Sequence, residues 1–188
     1  MAYLPLFVQM SQKKVLLVGG GKVAYAKLKK LLDFTQNITV IALECSIQIQ
    51  NLIKHHGLTL HEKGYEVGDI EGYDMVIVAT NTQALHHSIY EESREKHILM
   101  NSTDITAYCD FIVPSIVQKE GLTIAFSTQA SSPAFSKALR VYFETRIPNG
   151  VGTFLKELHT LRDCMPKGVA RQAFFRSKVA SYFQKYFM

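Results

Sequence analysis

Four consecutive apolar residues, Val15-Leu16-Leu17-Val18, run directly into three glycines. An unbroken apolar run of this length reads as a short strand buried on both faces, as in a parallel sheet. Beyond the glycines, Ala24, Leu28, Leu31 and Leu32 recur at helical spacing while Lys27, Lys29 and Lys30 fall largely on other faces, which predicts a helix over 23–32. Thr35-Gln36-Asn37 then interrupts, and Ile38-Thr39-Val40-Ile41-Ala42 reads as a second strand. Together they make one βαβ unit, expected to cross over right-handed. The same patterning predicts a helix over 46–56, a short strand over 58–61, a buried strand over 75–79, a helix over 82–96 and a strand over 98–101.

Strand and helix alternate to about Asn101, so the expected fold class is α/β with a doubly wound parallel sheet. The pattern then changes. The runs 111–117 and 122–127, joined by Lys119-Glu120-Gly121, read as a β-hairpin, and Pro133 stands where a first-turn proline begins a helix to about Arg146. Pro148-Asn149-Gly150 is a linker, and 151–187 carries at least two helical patterns split at Pro166-Lys167-Gly168. The expected division is 1–113, 114–148 and 149–188.

The chain of 188 residues is 47% hydrophobic and 20% charged, enough for one ordinary domain with a smaller appendage. No apolar run approaches the roughly 18 residues that cross a bilayer, and Met1-Ala2-Tyr3-Leu4-Pro5 lacks the look of a signal peptide, so a cytoplasmic, membrane-free protein is expected. Cys45, Cys109 and Cys164 are widely spaced and form no C-x-x-C, which suggests neither disulfides nor a thiolate metal site. A formal charge of +5 suits an anionic partner. The basic residues are scattered from Lys13 to Lys185 and no aromatic RNA-binding motif accompanies them, which argues against nucleic acid; a polyanionic small molecule explains the charge equally well.

Gly19-Gly20-Gly21-Lys22-Val23-Ala24 satisfies G-x-G-x-x-A between a strand and a helix, the setting that gives this motif meaning as a Rossmann dinucleotide loop. Gly19 would permit the turn, Gly21 would admit a pyrophosphate, and Ala24 would let the helix pack closely. Leu43 and Glu44 follow the second strand, where an adenosine ribose lies, and a carboxylate there favours NAD over NADP unless Glu44 simply caps the next helix. Ala79 and Thr80 end an interior strand at the ligand-binding edge, where Thr80 and Asn81 are placed to contact a cofactor, and Asn81 or Thr82 equally has the chemistry of a helix cap. Asp104 follows the last strand at the same edge; it reads equally as a general base or a turn residue, and Asp110 competes for the first role. Ser127, Thr128, Ser131 and Ser132 before a helix suit carboxylate binding or helix capping. The pairs His55-His56 and His86-His87 have no completing ligands and read as solvated helix faces; no metal site is expected.

Taken together, Leu4-Pro5-Leu6-Phe7, the segment 15–24, Ala79-Thr80, Asn101-x-x-Asp104, Cys109-Asp110-Phe111-Ile112-Val113-Pro114-Ser115 and 127–133 resemble the siroheme synthase N-terminal family. That family comprises precorrin-2 dehydrogenases, some of them also sirohydrochlorin ferrochelatases that take ferrous iron as a substrate. The resemblance implies NAD⁺-dependent oxidation of precorrin-2 to sirohydrochlorin by a homodimer whose region after the Rossmann sheet, here 114–148, forms the interface. It maps the catalytic carboxylate onto Asp104, cofactor contacts onto Lys22, Val23, Leu43 and Glu44, and the +5 charge onto a substrate with eight carboxylates. The chain departs from the family at Ala26-Lys27, Asn81-Thr82 and Gln129-Ala130, where Arg-Lys, Asp-Asp and Gly-Gly are common, and Thr128 replaces a serine that is phosphorylated in some members. With Met188 as its last residue it is expected to lack the methyltransferase domain fused in some relatives. The other class of function open to these residues is a non-catalytic carrier or sensor of NAD or a tetrapyrrole, which would need no base at Asp104.

Overall fold

The computed structural model describes residues 3–129 and 131–188; Met1, Ala2 and Ala130 lie outside the described residues. The elements run β1 (Val15–Val18), α1 (Lys22–Leu31), β2 (Ile38–Ile41), α2 (Ile47–His56), β3 (Thr59–His61), β4 (Met75–Val78), α3 (Gln83–Glu95), β5 (Leu99–Ser102), a 3₁₀ turn (Thr106–Tyr108), β6 (Ser115–Lys119), β7 (Leu122–Phe126), α4 (Pro133–Arg146), α5 (Val151–Cys164) and α6 (Val169–Tyr186). They form two compact units, one covering 3–112 and the other 113–188.

The first unit is built on a five-stranded parallel sheet of order β3-β2-β1-β4-β5. The strand order reverses at β1, which sits between β2 and β4 with Val15 opposite both Ile38 and Met75. Alternation along the buried strands divides the core in two. Val15, Leu17, Val40 and Ile77 pack with Ala24 and Leu28 of α1 and Ile49 and Ile53 of α2. Leu16, Val18, Val76, Val78 and Met100 pack with Ile70 and with Ile89 of α3. Each such side chain contributes roughly 1.5–3 kcal/mol by leaving water. The doubly wound α/β fold predicted from the apolar runs is therefore present.

Two local readings are corrected. The predicted strand at 111–117 begins only at Ser115. Ahead of it the chain is held by other bonds: Asp110 N–H donates to Met100 O at 2.8 Å, and the Phe111 carbonyl accepts from Asn101 Nδ2 at 2.9 Å while its ring packs on the core. Also, α3 buries a stripe that is mostly polar: His86, Ile89, Glu92 and Ser93. Glu92 is tolerated there because its carboxylate accepts from Tyr65 Oη at 2.6 Å and from Gly68 N–H at 2.8 Å. Burial, with the Glu92 contact added, pushes the Tyr65 hydroxyl far above the ordinary tyrosine range.

The second unit starts with the predicted antiparallel hairpin, β6 paired to β7 from Ser115↔Phe126 to Lys119↔Leu122. Its two-residue turn needs two left-handed backbones, at Glu120 (φ 50°) and Gly121 (φ 90°), the geometry that matches strand twist in tight hairpins. Glu120 accepts from Gly150 N–H at 3.3 Å and Gly152 N–H at 2.9 Å, tying the turn to the start of α5 above a small core of Val117, Ile147 and Val151. The α5 and α6 helices meet through Phe154 stacked on Tyr182, with centroids 3.9 Å apart, and through Lys178–Glu157 at 2.7 Å. Among the described residues no helix is long and apolar enough to cross a membrane.

Candidate functional site

All five parallel strands end at one edge of the sheet, and the loops leaving β1, β2 and β4 meet there. The three glycines after β1 serve different purposes. Gly19 adopts φ +127°, and a Cβ on it would stand 2.3 Å from the Ala79 carbonyl oxygen. On Gly20 a Cβ would stand 1.9 Å from the Glu44 carbonyl oxygen, although the motif leaves that position free. Around Gly21, by contrast, no atom lies within 4 Å of the Cβ position. The first two are therefore glycine because the protein's own backbone approaches them, and the third leaves open space on the ligand side.

Gly21 is also the N-cap of α1, and no side chain caps that helix, so its first-turn N–H groups lack a side-chain acceptor. The Gly20 carbonyl accepts from Ser46 N–H at 2.9 Å, which fixes the glycine turn to the start of α2. These loops bound a cleft of about 270 Å³. Gly19, Gly21, Leu43, Glu44, Ala79 and Thr80, all expected at the cofactor, line it. Lys22 and Val23 stand at the exposed start of α1 and are not among its lining residues. Lys63, Gly64 and Tyr65 complete its wall after β3, a segment that no motif marked.

The cleft fits a dinucleotide on three observations. Beside Gly21 there is room for a pyrophosphate. The Thr80 hydroxyl lines the cleft, is buried, and has no hydrogen-bond partner among the described residues; nor has the buried Ser46 hydroxyl beside the turn. The Glu44 carboxylate is exposed, forms no ion pair among the described residues, and does not cap α2, whose N-cap is Ser46. Thr82 takes the N-cap position of α3 without a side-chain bond, so neither capping alternative uses its side chain.

Asp104 lies two residues beyond the end of β5, next to the extension of β4, since Thr103 N–H donates to Val78 O at 3.1 Å. It is exposed, and its only side-chain contact among the described residues is a long 3.5 Å bond from Thr103 Oγ1. Asp110 is committed elsewhere. Arg94 grips both of its oxygens and Met100 N–H donates to it at 2.8 Å. Burial pulls the Asp110 carboxyl upward, but Arg94 and the Met100 amide outweigh that and hold it below the usual aspartate range. Asp110 is therefore a structural anchor, while Asp104 forms no ion pair among the described residues.

His86 does not lie on a solvated face; its side chain is completely buried. Nε2 is 2.9 Å from Thr80 O and Nδ1 is 2.7 Å from Ser102 Oγ. His55, His56 and His87 are at least partly exposed, as expected. Lys27, buried along its stem, donates to Asn101 Oδ1 at 3.2 Å, and burial lowers its amine below the ordinary lysine value despite the partial support of Cys109. Among the described residues no three His, Cys, Asp or Glu side chains converge to hold a metal ion. Ser127, Thr128, Ser131 and Ser132 belong to the second unit, and three of them serve their own backbone. Ser127 Oγ accepts from Gln129 N–H at 3.0 Å, Thr128 Oγ1 from Ser132 N–H at 3.0 Å, and Ser132 Oγ caps α4 through Phe135 N–H at 3.2 Å.

Comparison with known proteins places this geometry. The chain is similar to a siroheme synthase of Methylococcus capsulatus, 35% identical over 179 residues that make up 93% of this chain and 38% of that protein. It is likewise similar to a siroheme synthase of Pseudoalteromonas atlantica, 36% identical over 80% of this chain and 33% of that protein. The chain spans about a third of the length of these curated relatives. Among solved structures, SirC, a precorrin-2 dehydrogenase, shares the fold with a TM-score of 0.74 at 22% identity, over 94% of this chain and 89% of that one. Residues 6–115 match the family model described as "Putative NAD(P)-binding", a stretch that takes in the whole parallel sheet and the cleft at its edge. The chain belongs to that NAD(P)-binding family.

Proposed function

We propose that the chain is an NAD-dependent precorrin-2 dehydrogenase that forms sirohydrochlorin. The observation that carries this reading is an unpaired carboxylate, Asp104, at the same strand edge as a cleft shaped for a dinucleotide. NAD⁺, when bound, supplies the hydride acceptor. Gly21 and the first-turn amides of Lys22 and Val23 receive the pyrophosphate. Glu44, beside Leu43, accepts from the ribose hydroxyls and repels a 2′-phosphate, which selects NAD over NADP. Ala79 and the unpartnered Thr80 hydroxyl orient the other half of the cofactor. Asp104 takes up the proton that leaves the macrocycle as its conjugation extends.

The polyanionic tetrapyrrole is supported by where the charge sits. Residues 113–188 carry eleven Lys and Arg against four Asp and Glu, whereas residues 1–112 carry ten against twelve. The whole excess of positive charge thus belongs to the second unit. There Arg162, Arg171 and Arg176 gather with Gln172 and Phe175 around a cavity of about 350 Å³, and none of the three pairs with a carboxylate among the described residues. The exposed Ser131, beside Ser127, Thr128 and Ser132, adds a hydroxyl donor for a carboxylate ahead of α4. Residues 114–148 act as the dimerisation region and 149–188 as a helical region; α4 exposes Phe135, Val141, Tyr142 and Phe143, apolar surface suited to a second copy in a homodimer. Ferrous iron is a further substrate if the same carboxylate accepts pyrrole protons.

The test is NADH formation by purified protein with precorrin-2. Asp104→Ala is expected to lose at least about a hundredfold in turnover while NAD affinity, read by calorimetry, stays within about twofold. Asp104→Asn keeps size and hydrogen bonding and is expected to be equally impaired. An Asn variant with wild-type turnover would show Asp104 to be a turn residue, and binding of both ligands without NADH formation by the wild type would make the chain a carrier.

A further inference from the structure

His86 is buried between two strand ends, and its hydrogen bonds run in only one direction. The Thr80 carbonyl can only accept, so Nε2 carries the proton. With a single proton on the ring, Nδ1 is then an acceptor, and the Ser102 hydroxyl at 2.7 Å donates to it. With its proton so used, Ser102 Oγ accepts from Ile105 N–H at 3.0 Å. The Ser102 carbonyl accepts from Cys109 Sγ at 3.1 Å, which closes the 102–109 segment on itself. One directed chain therefore leads from the backbone on the C-terminal side of Asp104, through Ser102 and the imidazole, to the backbone of Thr80, whose unpartnered hydroxyl lines the cleft.

We propose that His86 is a positioning residue that holds the Asp104 segment and the Thr80 end of β4 to one another, so that the cofactor cleft and the carboxylate keep a fixed relation. This deepens the dehydrogenase reading and rests on it. A packing role alone would ask only for an apolar group of similar size. Instead a fully buried side chain uses both ring nitrogens, and each serves a different side of the site.

Two amides divide the imidazole's work. Asn places an amide oxygen near the Nδ1 position, where it accepts from Ser102, and does not reach Thr80. Gln places an amide N–H near the Nε2 position, where it donates to Thr80, and gives up the Ser102 bond. His86→Asn is expected to keep the Ile105 amide protected from hydrogen exchange, weaken NAD binding about fivefold, and lower kcat at saturating NAD. His86→Gln is expected to keep NAD affinity, raise Ile105 exchange about tenfold or more, and lower kcat at saturating NAD. If both folded variants show the same exchange and the same NAD affinity, or if neither lowers kcat, the coupling role is wrong. Should the histidine variants not fold, Ser102→Ala cuts the chain from its far end: faster Ile105 exchange with unchanged NAD affinity supports the proposal, and unchanged exchange overturns it. Exchange and affinity do not require turnover, so a wild type that makes no NADH would end the dehydrogenase reading while these two measurements still decide the role of His86.

Discussion

The two compact units differ in what they can do alone. Of the 24 apolar side chains buried among the described residues, 21 precede residue 113, and they fill both sides of a five-stranded sheet. The second unit buries Val117, Ile147 and Val151, leaves α6 with no buried residue, and exposes Phe135, Tyr142, Phe174 and Phe183. It also carries the net excess of positive charge. A domain that completes its own core can bind a cofactor in a cleft it shapes by itself. A basic, aromatic unit with a thin core is suited to ligands and partners that supply what it lacks.

The sharpest way to break this contrast is at the glycine turn. Gly20→Ala puts a methyl group against the Glu44 carbonyl, where backbone meets backbone and little can yield. It is expected to cost at least about 3 kcal/mol and lower Tm by about 10 °C. Gly21→Val adds its bulk to open space at an extended backbone (φ −90°, ψ −168°), so thermal melts are expected to stay near wild type while calorimetry shows NAD affinity at least about tenfold weaker. If Gly21→Val binds NAD normally, the cleft is not a pyrophosphate site.

A middle-sized effect tests the other unit. Arg162→Gln with Arg176→Gln is expected to raise KM for the tetrapyrrole about three- to tenfold at low salt, with kcat and NAD affinity unchanged, and the difference is expected to shrink as salt screens the remaining charges. Unchanged steady-state KM at low ionic strength would remove the arginine cluster from substrate binding.

The smallest effect returns to the first unit and concerns pH. Because the folded Asp110 carboxyl titrates below the ordinary aspartate value of about 3.9, its contribution is present above that value and is lost as pH falls through the lower, folded one. Asp110→Asn is expected to be less stable by about 1–2 kcal/mol at neutral pH, with the gap to wild type closing in denaturant titrations as the pH is lowered below the ordinary aspartate value. A gap that persists unchanged in acid would mean that Asp110 does not act through its charge.

The apolar runs Val15-Leu16-Leu17-Val18 and Met75-Val76-Ile77-Val78 were legible because strands covered on both faces have no alternation to obscure. Phe111-Ile112-Val113 looked the same and is not a strand, since the bonds that hold it come from Met100 and Asn101 about ten residues away. The α3 stripe of 86, 89 and 93 follows helical spacing, yet His86, Glu92 and Ser93 are polar, so periodicity read as hydrophobicity passed over it. The partners of His86 and Glu92, Ser102 and Tyr65, lie in other elements that only folding brings close. Glycine needs differed likewise: the motif marks Gly19 and Gly21, whereas the constraint on Gly20 comes from the loop after β2, which no local pattern encodes.

That contact between Gly20 and the Glu44 carbonyl, together with the Gly20 O to Ser46 N–H bond, joins the loop after β1 to the loop after β2 before any ligand arrives. The distance from the glycine turn to the backbone of Glu44 is a property of the polypeptide. The two loops are thus already joined when a dinucleotide arrives, which lowers the ordering cost of binding. The entropy of ordering these two loops was spent in folding, so the heat-capacity change of binding should report the apolar surface that the ligand covers and little else.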